Sequence, residues 1–325
     1  MSVWPISVAD VRAAAERIRP YLPPTPLRSY APLDEAVGSG IRVWVKHENY
    51  APTGAFKVRN ALAVLTALSE DERRGGIVAA TRGNHGLGLA WAGARLGAPV
   101  TVCVPIGNNP EKNEALRGLG ATLIEAGRDY DEAVEVADRL VRERGLTLVH
   151  STNHPQVIAG AGTLTLEMLE ERPEIDALVY AVGGGSQAVG GLMVARSIGR
   201  EVVVWAVQAE RAAAIHDSWH AGHPIPGKSA DTFADGLATR GVYPFTFGAL
   251  REGLSGFVAV SETQIAGAMR LLLRTTHSLV EGAGAAGLAG LIVARDALAG
   301  RTVGIVLSGA NVDQPTLRRV LNGEL

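Results

Sequence analysis

Cysteine is almost absent from this chain, which contains one, Cys103, among 325 residues. A single thiol excludes an intramolecular disulfide and a zinc site built from several cysteines. No apolar run approaches the ~18 residues that a membrane helix needs, and the segment Met1–Pro20 lacks a basic stretch followed by an apolar one. We therefore predict a cytoplasmic protein with no membrane partner.

The chain also lacks an excess of acidic or of basic residues. The chain has 31 Lys+Arg and 33 Asp+Glu, a net charge of −2 at pH 7, and no basic block. Because nucleic-acid binding requires clustered cations that neutralise phosphates, we expect no nucleic-acid partner. The hydrophobic content of 47% in a chain of this length instead favours a compact protein with a large core.

Short segments rich in β-branched residues alternate with helical patterns along nearly the whole chain. A predicted strand such as Val202–Gln208 is apolar at almost every position, which is typical of a parallel sheet covered by helices on both faces. The sequence thus predicts an α/β fold with a doubly wound parallel sheet. Predicted strands are Ile41–Lys46, Gly76–Ala80, Val100–Val104, Ala121–Glu125, Thr147–His150, Ala177–Val182, Val202–Gln208, Gly256–Val260 and Thr302–Leu307, and predicted helices include Asn84–Leu96, Glu111–Leu119, Asp129–Arg144, Val157–Glu171, Glu262–Thr275 and Gly282–Leu298.

Four strand–helix units follow one another within residues 75–152 and predict a small inserted α/β domain. Residues 1–74 and 153–325 would together form a large cofactor-binding domain. The stretch 216–248 is rich in Gly, Pro and His and poor in periodic structure. We expect a long surface loop there, near the mouth of a functional site.

Three glycine-rich turns follow predicted strands, at Thr81–His85, Gly183–Ser186 and Ser308–Asn311. Glycine lets backbone amides approach an oxyanion, and a helix N-terminus adds about half a positive charge. The second turn lacks the lysine of a Walker loop and the third glycine of a dinucleotide fingerprint. A small phosphate ester is therefore favoured over a dinucleotide, the alternative being a purely structural turn.

Lys57 closes the segment Thr53–Lys57 at the start of a helical pattern. Most lysines are solvated surface charges. A desolvated amine, in contrast, forms covalent adducts with carbonyl groups, because burial lowers its pKa and frees its lone pair. If Lys57 is of this kind, the ligand would carry both an aldehyde and a phosphate ester.

A set of motifs in a fixed order carries a family resemblance. They are Lys46–Asn49, Gly54–Lys57, Thr81–His85, Asn153–Thr163, Val182–Ser186, Phe233–Gly236, Glu281–Ala285 and Leu307–Asn311. With them the chain resembles the pyridoxal-phosphate enzymes of fold type II, and especially the serine/threonine dehydratase and serine racemase branch. The resemblance implies a tryptophan synthase β-like fold of twisted, mostly parallel sheets in a large and a small domain. It also implies pyridoxal 5′-phosphate as cofactor, an amino-acid substrate and a homodimer.

The resemblance further implies a role for each matching residue. Lys57 would hold the cofactor covalently and act as the catalytic base, Ser308 would face the pyridine nitrogen, and Glu281 would either tune the ring or cap the following helix. The other cofactor-binding residues would be Phe56, Asn84, Gly183, Gly184, Gly185, Ser186 and Gln187. The substrate-binding residues would be Thr81, Arg82, Gly83, Asn84, His85 and Asn153.

The implied reaction is β-elimination. A serine hydroxyl at position 308 cannot keep the pyridine nitrogen protonated, so the cofactor would be a weaker electron sink and elimination would be prompt. A β-hydroxy amino acid such as L-threonine or L-serine would then give a 2-oxo acid and ammonia. Alternatives are β-replacement as in cysteine synthases and dehydration of 3-hydroxyaspartate, phenylserine or a hydroxyectoine-derived amino acid. Other classes are a nicotinamide-dependent oxidoreductase and a catalytically silent sensor.

Arg82 departs from the family pattern, in which racemases and many dehydratases carry a serine that donates a proton. A guanidinium does not release a proton near neutral pH, so racemisation is disfavoured. Arg82 could pair with a second anionic or polar group of the substrate, or it could face solvent or a neighbouring carboxylate.

Two further departures concern metal and regulation. Gln208, Ala212 and Ala214 stand where racemase-like members have cation ligands, so no metal is predicted. His216, His220 and His223 form an alternative ligand set, but Gly222 and Pro224 interrupt their helix. The chain ends soon after the Ser308 motif, and we expect no C-terminal regulatory domain.

Overall fold

The computed structural model describes residues 3–128 and 130–325, except for the side chains of residues 130 and 131. Within these ranges ten strands form a six-stranded and a four-stranded sheet. The strands are β1 Leu27–Ser29, β2 Arg42–Lys46, β3 Ile77–Ala80, β4 Val100–Val104, β5 Thr122–Glu125, β6 Thr147–Leu148, β7 Ala177–Ala181, β8 Val203–Ala209, β9 Gly256–Val260 and β10 Thr302–Val306.

The α-helices alternate with these strands along the chain. They are α1 Val8–Ile18, α2 Ala31–Val37, α3 Lys57–Leu65, α4 Glu70–Gly75, α5 Asn84–Leu96, α6 Pro110–Gly118, α7 Tyr130–Arg144, α8 Pro155–Glu171, α9 Ser186–Ala195, α10 Ala214–Ala221, α11 Pro244–Gly253, α12 Glu262–Thr276, α13 Gly282–Val293 and α14 Gln314–Leu321. Among the described residues, none of the helices combines the length and the hydropathy of a membrane span.

Strand order confirms the predicted α/β fold with mostly parallel sheets. The larger sheet has the order β1-β2-β10-β7-β8-β9, in which β1 alone runs antiparallel, to β2. The smaller sheet has the order β5-β4-β3-β6 and is parallel throughout. Its strands lie between residues 77 and 148. The domain boundaries, 1–74 plus 153–325 and 75–152, stay a prediction.

Both faces of the larger sheet are buried, as its apolar strands predict. In β7, Leu178 and Tyr180 pack into one hydrophobic cluster, whereas Ala177 and Val179 pack into another. Because successive side chains of a strand point to opposite faces, each face has its own layer of helices. This arrangement leaves the ends of the strands as the place for a site.

The structure differs from the sequence predictions at several places. The edge strand β1, only three residues long and next to Pro26, was not predicted. Helix α13 ends at Val293 rather than Leu298, and a turn then leads to Gly300 at φ +73°. The predicted loop 216–248 has α10 at one end and α11 at the other. In the predicted helix Asp129–Arg144, Asp129 lies outside the described residues.

Close helix packing brings α3, α5 and α8 together below the site. A Cβ added at Gly88 of α5 would lie 2.8 Å from the Lys57 carbonyl oxygen, and one at Gly160 of α8 would lie 2.6 Å from the Arg59 carbonyl oxygen. Because glycine has no side chain, α5 and α8 can approach the backbone of α3 more closely here than any larger residue would allow. The result is a rigid base for the first turn of α3, where Lys57 lies.

Candidate active site

A cavity of about 950 Å³ lies where the carboxyl ends of strands from both sheets meet. Its walls come from the turns after β3, β6, β7 and β10, from the start of α3, and from the segment between α10 and α11. Open α/β sheets place ligands at this end of their strands. The predicted site residues in its wall are Phe56, Lys57, Thr81, Arg82, Gly83, Asn84, His85, Gly183, Gly184, Gly185, Ser186, Gln187, Glu281 and Ser308.

Asn153 is the predicted substrate residue that the structure does not bring to this wall. Its Oδ1 accepts a hydrogen bond of 3.2 Å from the backbone N–H of Phe245, in the first turn of α11. The first backbone N–H groups of a helix lack partners within the helix. The Asn153 side chain thus satisfies one of them instead of facing the cavity.

Lys57 provides an amine at the cavity wall. Its Nζ donates a hydrogen bond of 3.0 Å to the Ser151 carbonyl oxygen and lies 5.1 Å from the centre of the Phe56 ring. Burial lowers the pKa of this amine to about 8 from the usual 10.5, because the surrounding protein disfavours the charged form. Near neutral pH, Lys57 therefore has a substantial neutral fraction that can attack a carbonyl group.

The glycine turn, which we define as Gly183–Gln187, fits an anion. The backbone N–H groups of Gly183, Gly184 and Gly185 have no acceptor among the described residues. A Cβ at Gly183 would lie 2.3 Å from the Gly236 carbonyl oxygen, and one at Gly184 would lie 2.3 Å from Thr152 Oγ1. Gly185 has φ +97°, which favours glycine.

The end of the same turn adds two polar side chains and a helix N-terminus. Ser186 and Gln187 are buried in the cavity wall, and they begin α9. Gln187 Nε2 has no hydrogen-bond partner among the described residues. Unpaired donors at a helix N-terminus form a site suited to a phosphate group.

Asn84 and Glu281 contact each other inside the cavity, where Asn84 Nδ2 donates a 2.7 Å hydrogen bond to Glu281 Oε1. Burial raises the pKa of Glu281 to about 7, and the positive charge of Lys112 and the Asn84 hydrogen bond oppose this shift. Glu281 precedes α13, but its side chain accepts no capping hydrogen bond from that helix. The geometry therefore does not support helix capping, which is one of the two roles predicted for Glu281.

The turn Thr81–His85 leads from β3 into α5. His85 Nε2 contacts the Val149 carbonyl oxygen at 2.9 Å, and burial lowers the pKa of His85 to about 3, so this ring is neutral. Thr81 Oγ1 accepts from the Gly83 N–H at 3.2 Å. Arg82 is exposed, lines the cavity, and has no ion pair or hydrogen bond within the described ranges.

Ser308 is buried at the end of β10, and its carbonyl oxygen accepts a 3.0 Å hydrogen bond from the Phe56 N–H. This bond ties the segment before Lys57 to the turn after β10. Ser308 also lines the cavity.

Sequence reasoning missed several cavity residues. Lys112, on α6, donates a 2.6 Å hydrogen bond to Asp235. This ion pair connects α6, which lies beside the smaller sheet, with the segment after α10. His150, Thr152 and Tyr243 also line the cavity. The sequence around Lys112 shows only the Asn109-Pro110 signal for a helix start, which does not indicate a contact 123 residues away.

Metal ligands do not cluster in the part of the chain that the structure describes: no group of three or more His, Cys, Asp or Glu side chains is arranged to hold an ion. Gln208 Oε1 instead accepts from the backbone N–H groups of Ile215 and His216, at 3.1 and 3.0 Å. His220 Nε2 contacts the Phe257 carbonyl oxygen at 3.0 Å.

Together these residues fit a ligand with an aldehyde and a phosphate ester. Lys57 and the glycine turn, whose Gly183, Gly184 and Gly185 amides have no acceptor among the described residues, line one cavity. Gln187 adds a buried donor without a partner in the described residues. Pyridoxal phosphate has both of the required groups, so the site suits the cofactor that the resemblance implies.

Comparisons with known proteins identify the family of the chain. The L-threonine ammonia-lyase of Thermotoga maritima is 36% identical over 317 residues, which are 98% of this chain and 78% of the relative. The L-threo-3-hydroxyaspartate ammonia-lyase of Saccharomyces cerevisiae is 31% identical over 315 residues, 97% of this chain and 96% of the relative. Maize serine racemase superposes with a TM-score of 0.92 at 29% identity, covering 99% of this chain and 98% of that one. The sequence profile of the pyridoxal-phosphate dependent enzymes matches residues 18–309, and the chain therefore belongs to that family, with its fold type II architecture.

Proposed function

We propose that this protein eliminates the β-hydroxyl group of a β-hydroxy amino acid and releases a 2-oxo acid and ammonia. The observation that carries the proposal is the position of the Lys57 amine, with its pKa lowered to about 8, in the same cavity as the unpaired amides of the glycine turn. Relatives that cover nearly the whole chain are named as ammonia-lyases of threonine and of 3-hydroxyaspartate, which supports this class of reaction.

Pyridoxal phosphate, when bound, supplies the electron sink that makes a Cα proton of an amino acid removable. The glycine turn would hold its phosphate, and Asn84, Phe56, Ser308 and Glu281 would surround its ring. Lys57 would hold its aldehyde carbon.

Lys57 then has a second task as general base. Once its amine is free, the neutral form can take the Cα proton, and a pKa near the working pH is the condition under which a general base is most effective. The 3.0 Å hydrogen bond to the Ser151 carbonyl oxygen orients this amine. Loss of the β-hydroxyl as water, followed by hydrolysis of the enamine product, balances the reaction to one 2-oxo acid and one ammonia.

The turn Thr81–His85 would bind the α-carboxylate of the substrate. It opens α5, so its backbone amides and the helix dipole favour an anion. His85 is neutral and its Nε2 contacts a backbone carbonyl oxygen, so it orders the turn rather than transferring protons. Asn153 lies outside the cavity wall, and we leave it out of the proposed substrate site.

Arg82 would select a substrate with a second carboxylate, as in 3-hydroxyaspartate. Its guanidinium is exposed at the cavity without a partner among the described residues, so it is available to a ligand. The test is Arg82→Ser. The ratio of kcat/KM for 3-hydroxyaspartate to that for threonine should fall roughly 10- to 100-fold, the size of a hydrogen bond to a charged group. An unchanged ratio would remove Arg82 from substrate selection.

The reaction itself is tested on the purified protein saturated with pyridoxal phosphate. L-Serine, L-threonine, L-threo-3-hydroxyaspartate and phenylserine are supplied singly, and 2-oxo acid and ammonia are measured in equal amounts. Lys57→Ala should abolish both products. Product formation that depends on an added thiol would point to β-replacement instead, and binding without turnover would point to a sensor.

The resemblance also implies that the protein is a homodimer and that it is located in the cytoplasm, and the proposal includes both. It further includes a large domain formed by residues 1–74 and 153–325 and a small domain formed by residues 75–152. Sedimentation velocity on the purified protein tests the dimer. Fractionation of the source cells tests the location, and limited proteolysis tests the domain boundaries.

A further inference from the structure

His150 follows strand β6 and lines the cavity, and its side chain hydrogen-bonds its own backbone loop. Nδ1 accepts from the N–H of Thr152 at 3.0 Å and from the N–H of Asn153 at 2.8 Å. Two N–H donors that point at one ring nitrogen leave no place for a proton there. The ring is therefore held as the neutral tautomer that carries its proton on Nε2.

The electrostatic surroundings agree with a neutral ring. The pKa of His150 is lowered, first by burial and then by the positive charges of Lys57 and His154. His85, which also interacts electrostatically with this ring, is neutral as well. With its Nδ1 occupied by two backbone N–H donors and its pKa lowered, His150 is thus a neutral hydrogen-bond donor and not an acid.

The ring that carries this donor is held in place by a neighbouring aromatic side chain. The Tyr243 ring packs against the imidazole edge to face, with centroids 5.2 Å apart, and so fixes the plane of the ring. Nε2 has no hydrogen-bond acceptor among the residues that the structure describes. The next residue, Ser151, accepts from Lys57 Nζ through its carbonyl oxygen. His150, whose Nε2–H has no acceptor among the described residues, thus lines the same cavity as the Lys57 amine.

We infer that the Nε2–H of His150 donates a hydrogen bond to an oxygen of the bound amino acid and so positions its Cα beside Lys57. The inference rests on the proposed function and adds a substrate-binding residue to it. Because the ring is neutral, it orients the substrate and transfers no proton to the leaving hydroxyl group. Neither the sequence motifs nor the glycine turn pointed to this residue.

Two substitutions distinguish the roles of the two ring nitrogens of His150. In His150→Asn, the amide oxygen takes the place of Nδ1, so the backbone N–H groups of Thr152 and Asn153 keep their acceptor and the distal donor is lost. In His150→Gln, the amide nitrogen reaches the place of Nε2, so the distal donor is kept. With the holoenzyme, kcat/KM should fall about tenfold or more for His150→Asn, mainly through KM, and clearly less for His150→Gln.

The matched control is His154→Asn. His154 Nδ1 also accepts from a backbone N–H, that of Gln156 at 3.1 Å, but His154 does not line the cavity. Its substitution should leave kcat/KM within about twofold of the wild type. If His150→Gln loses as much activity as His150→Asn, or if His150→Asn keeps the wild-type kcat/KM, the inference is overturned, because loop structure alone would then account for His150.

A measurement without turnover completes the test. Nitrogen-15 spectra of histidine-labelled holoenzyme should show His150, assigned by its loss in His150→Asn, as the neutral Nε2–H tautomer at neutral pH. Addition of α-methylserine, which has no Cα proton to lose, should shift the Nε2 resonance. A ring that titrates near the ordinary histidine pKa of about 6.5, or a resonance that does not respond, would overturn the inference even in an active enzyme. A shifted resonance without 2-oxo acid from any substrate would instead reject the proposed function alone.

Discussion

Asn84 donates a hydrogen bond of 2.7 Å to Glu281, although 197 residues separate them in the chain. The orientation of the Asn84 amide is fixed from its other end, because its Oδ1 accepts from Asn311 Nδ2 at 2.7 Å. Asn311 in turn donates to the Thr53 carbonyl oxygen at 2.8 Å. These hydrogen-bonded side-chain amides connect the turn after β3 with the turn after β10. They also give Glu281 an uncharged hydrogen-bond donor, the Asn84 amide.

Glu281 should make the stability of the cofactor-free protein fall as the pH rises. Its pKa is raised to about 7 from 4.5, so between these values the folded state keeps a proton that the unfolded state has lost. The free energy of unfolding then falls by about 1.36 kcal/mol per pH unit, on the order of 3 kcal/mol in all, and Glu281→Gln removes this fall. Urea unfolding of both proteins at several pH values measures the difference.

Glu170→Gln is the control for this pH dependence. Glu170 is about half exposed, in an ion pair with Arg12. Because an ion pair that is half exposed to water contributes little to stability, its replacement should change the free energy of unfolding by no more than about 1 kcal/mol at each pH. Parallel curves for wild type and Glu281→Gln would contradict a raised pKa at Glu281.

Gly184→Ala should weaken binding of pyridoxal phosphate. The added methyl group would lie 2.3 Å from Thr152 Oγ1, so the glycine turn must shift and its amides lose their common direction. We expect the dissociation constant to rise about tenfold or more, equal to ~1.4 kcal/mol. Titration of the cofactor-free protein, followed by absorbance, gives the constant.

Gly267→Ala is the matched substitution outside the site. Gly267 lies on α12, where an added Cβ would meet nothing closer than an Arg270 side-chain nitrogen at 4.0 Å. Alanine in place of a helical glycine should stabilise the fold by about 0.5–1 kcal/mol and leave cofactor affinity unchanged. If both variants bind the cofactor equally well, the glycine turn is not the phosphate site.

The turns that form the cavity could be predicted from the sequence because they follow a general rule of parallel sheets. Strands β3, β7 and β10 were each predicted within one residue at their starts, and the turns after them lie at the carboxyl end of a sheet. Helix α5 was predicted with both of its ends correct. Local periodicity and glycine positions carry this information.

Contacts between distant side chains could not be predicted in the same way. The predicted strand Thr147–His150 ends at Leu148, and the His150 side chain then accepts from the backbone ahead of it. Lys112 meets Asp235 because two separate sheets place them at one cavity. Such contacts depend on tertiary structure, which the local pattern of a single sequence does not contain.

Arg59→Met should destabilise the fold strongly. The buried guanidinium donates to Glu48 Oε2 at 2.8 Å and to Glu167 Oε1 at 2.6 Å, and Glu48 is itself fully buried. Without Arg59, Glu48 is left as a buried carboxylate without its cation, which costs about 3–5 kcal/mol. Chemical unfolding at neutral pH measures this loss. Arg12→Met, which breaks the exposed 2.9 Å pair with Glu170, should change stability by no more than ~0.5 kcal/mol.

Lys57 should react as a neutral amine at a pH at which other lysines are protonated. With a pKa of about 8 against the usual 10.5, about a quarter of the Lys57 amines are neutral at pH 7.5, compared with roughly a thousandth of ordinary lysine amines. Competitive acetylation of the cofactor-free protein, with N-acetyl-lysine amide in the same tube and peptide mass spectrometry as readout, gives the pKa of this one residue. A midpoint near 8 is expected. A midpoint at about 10 would mean that water reaches the amine, and Lys57 would then lack the neutral fraction that both covalent attachment and removal of the Cα proton require.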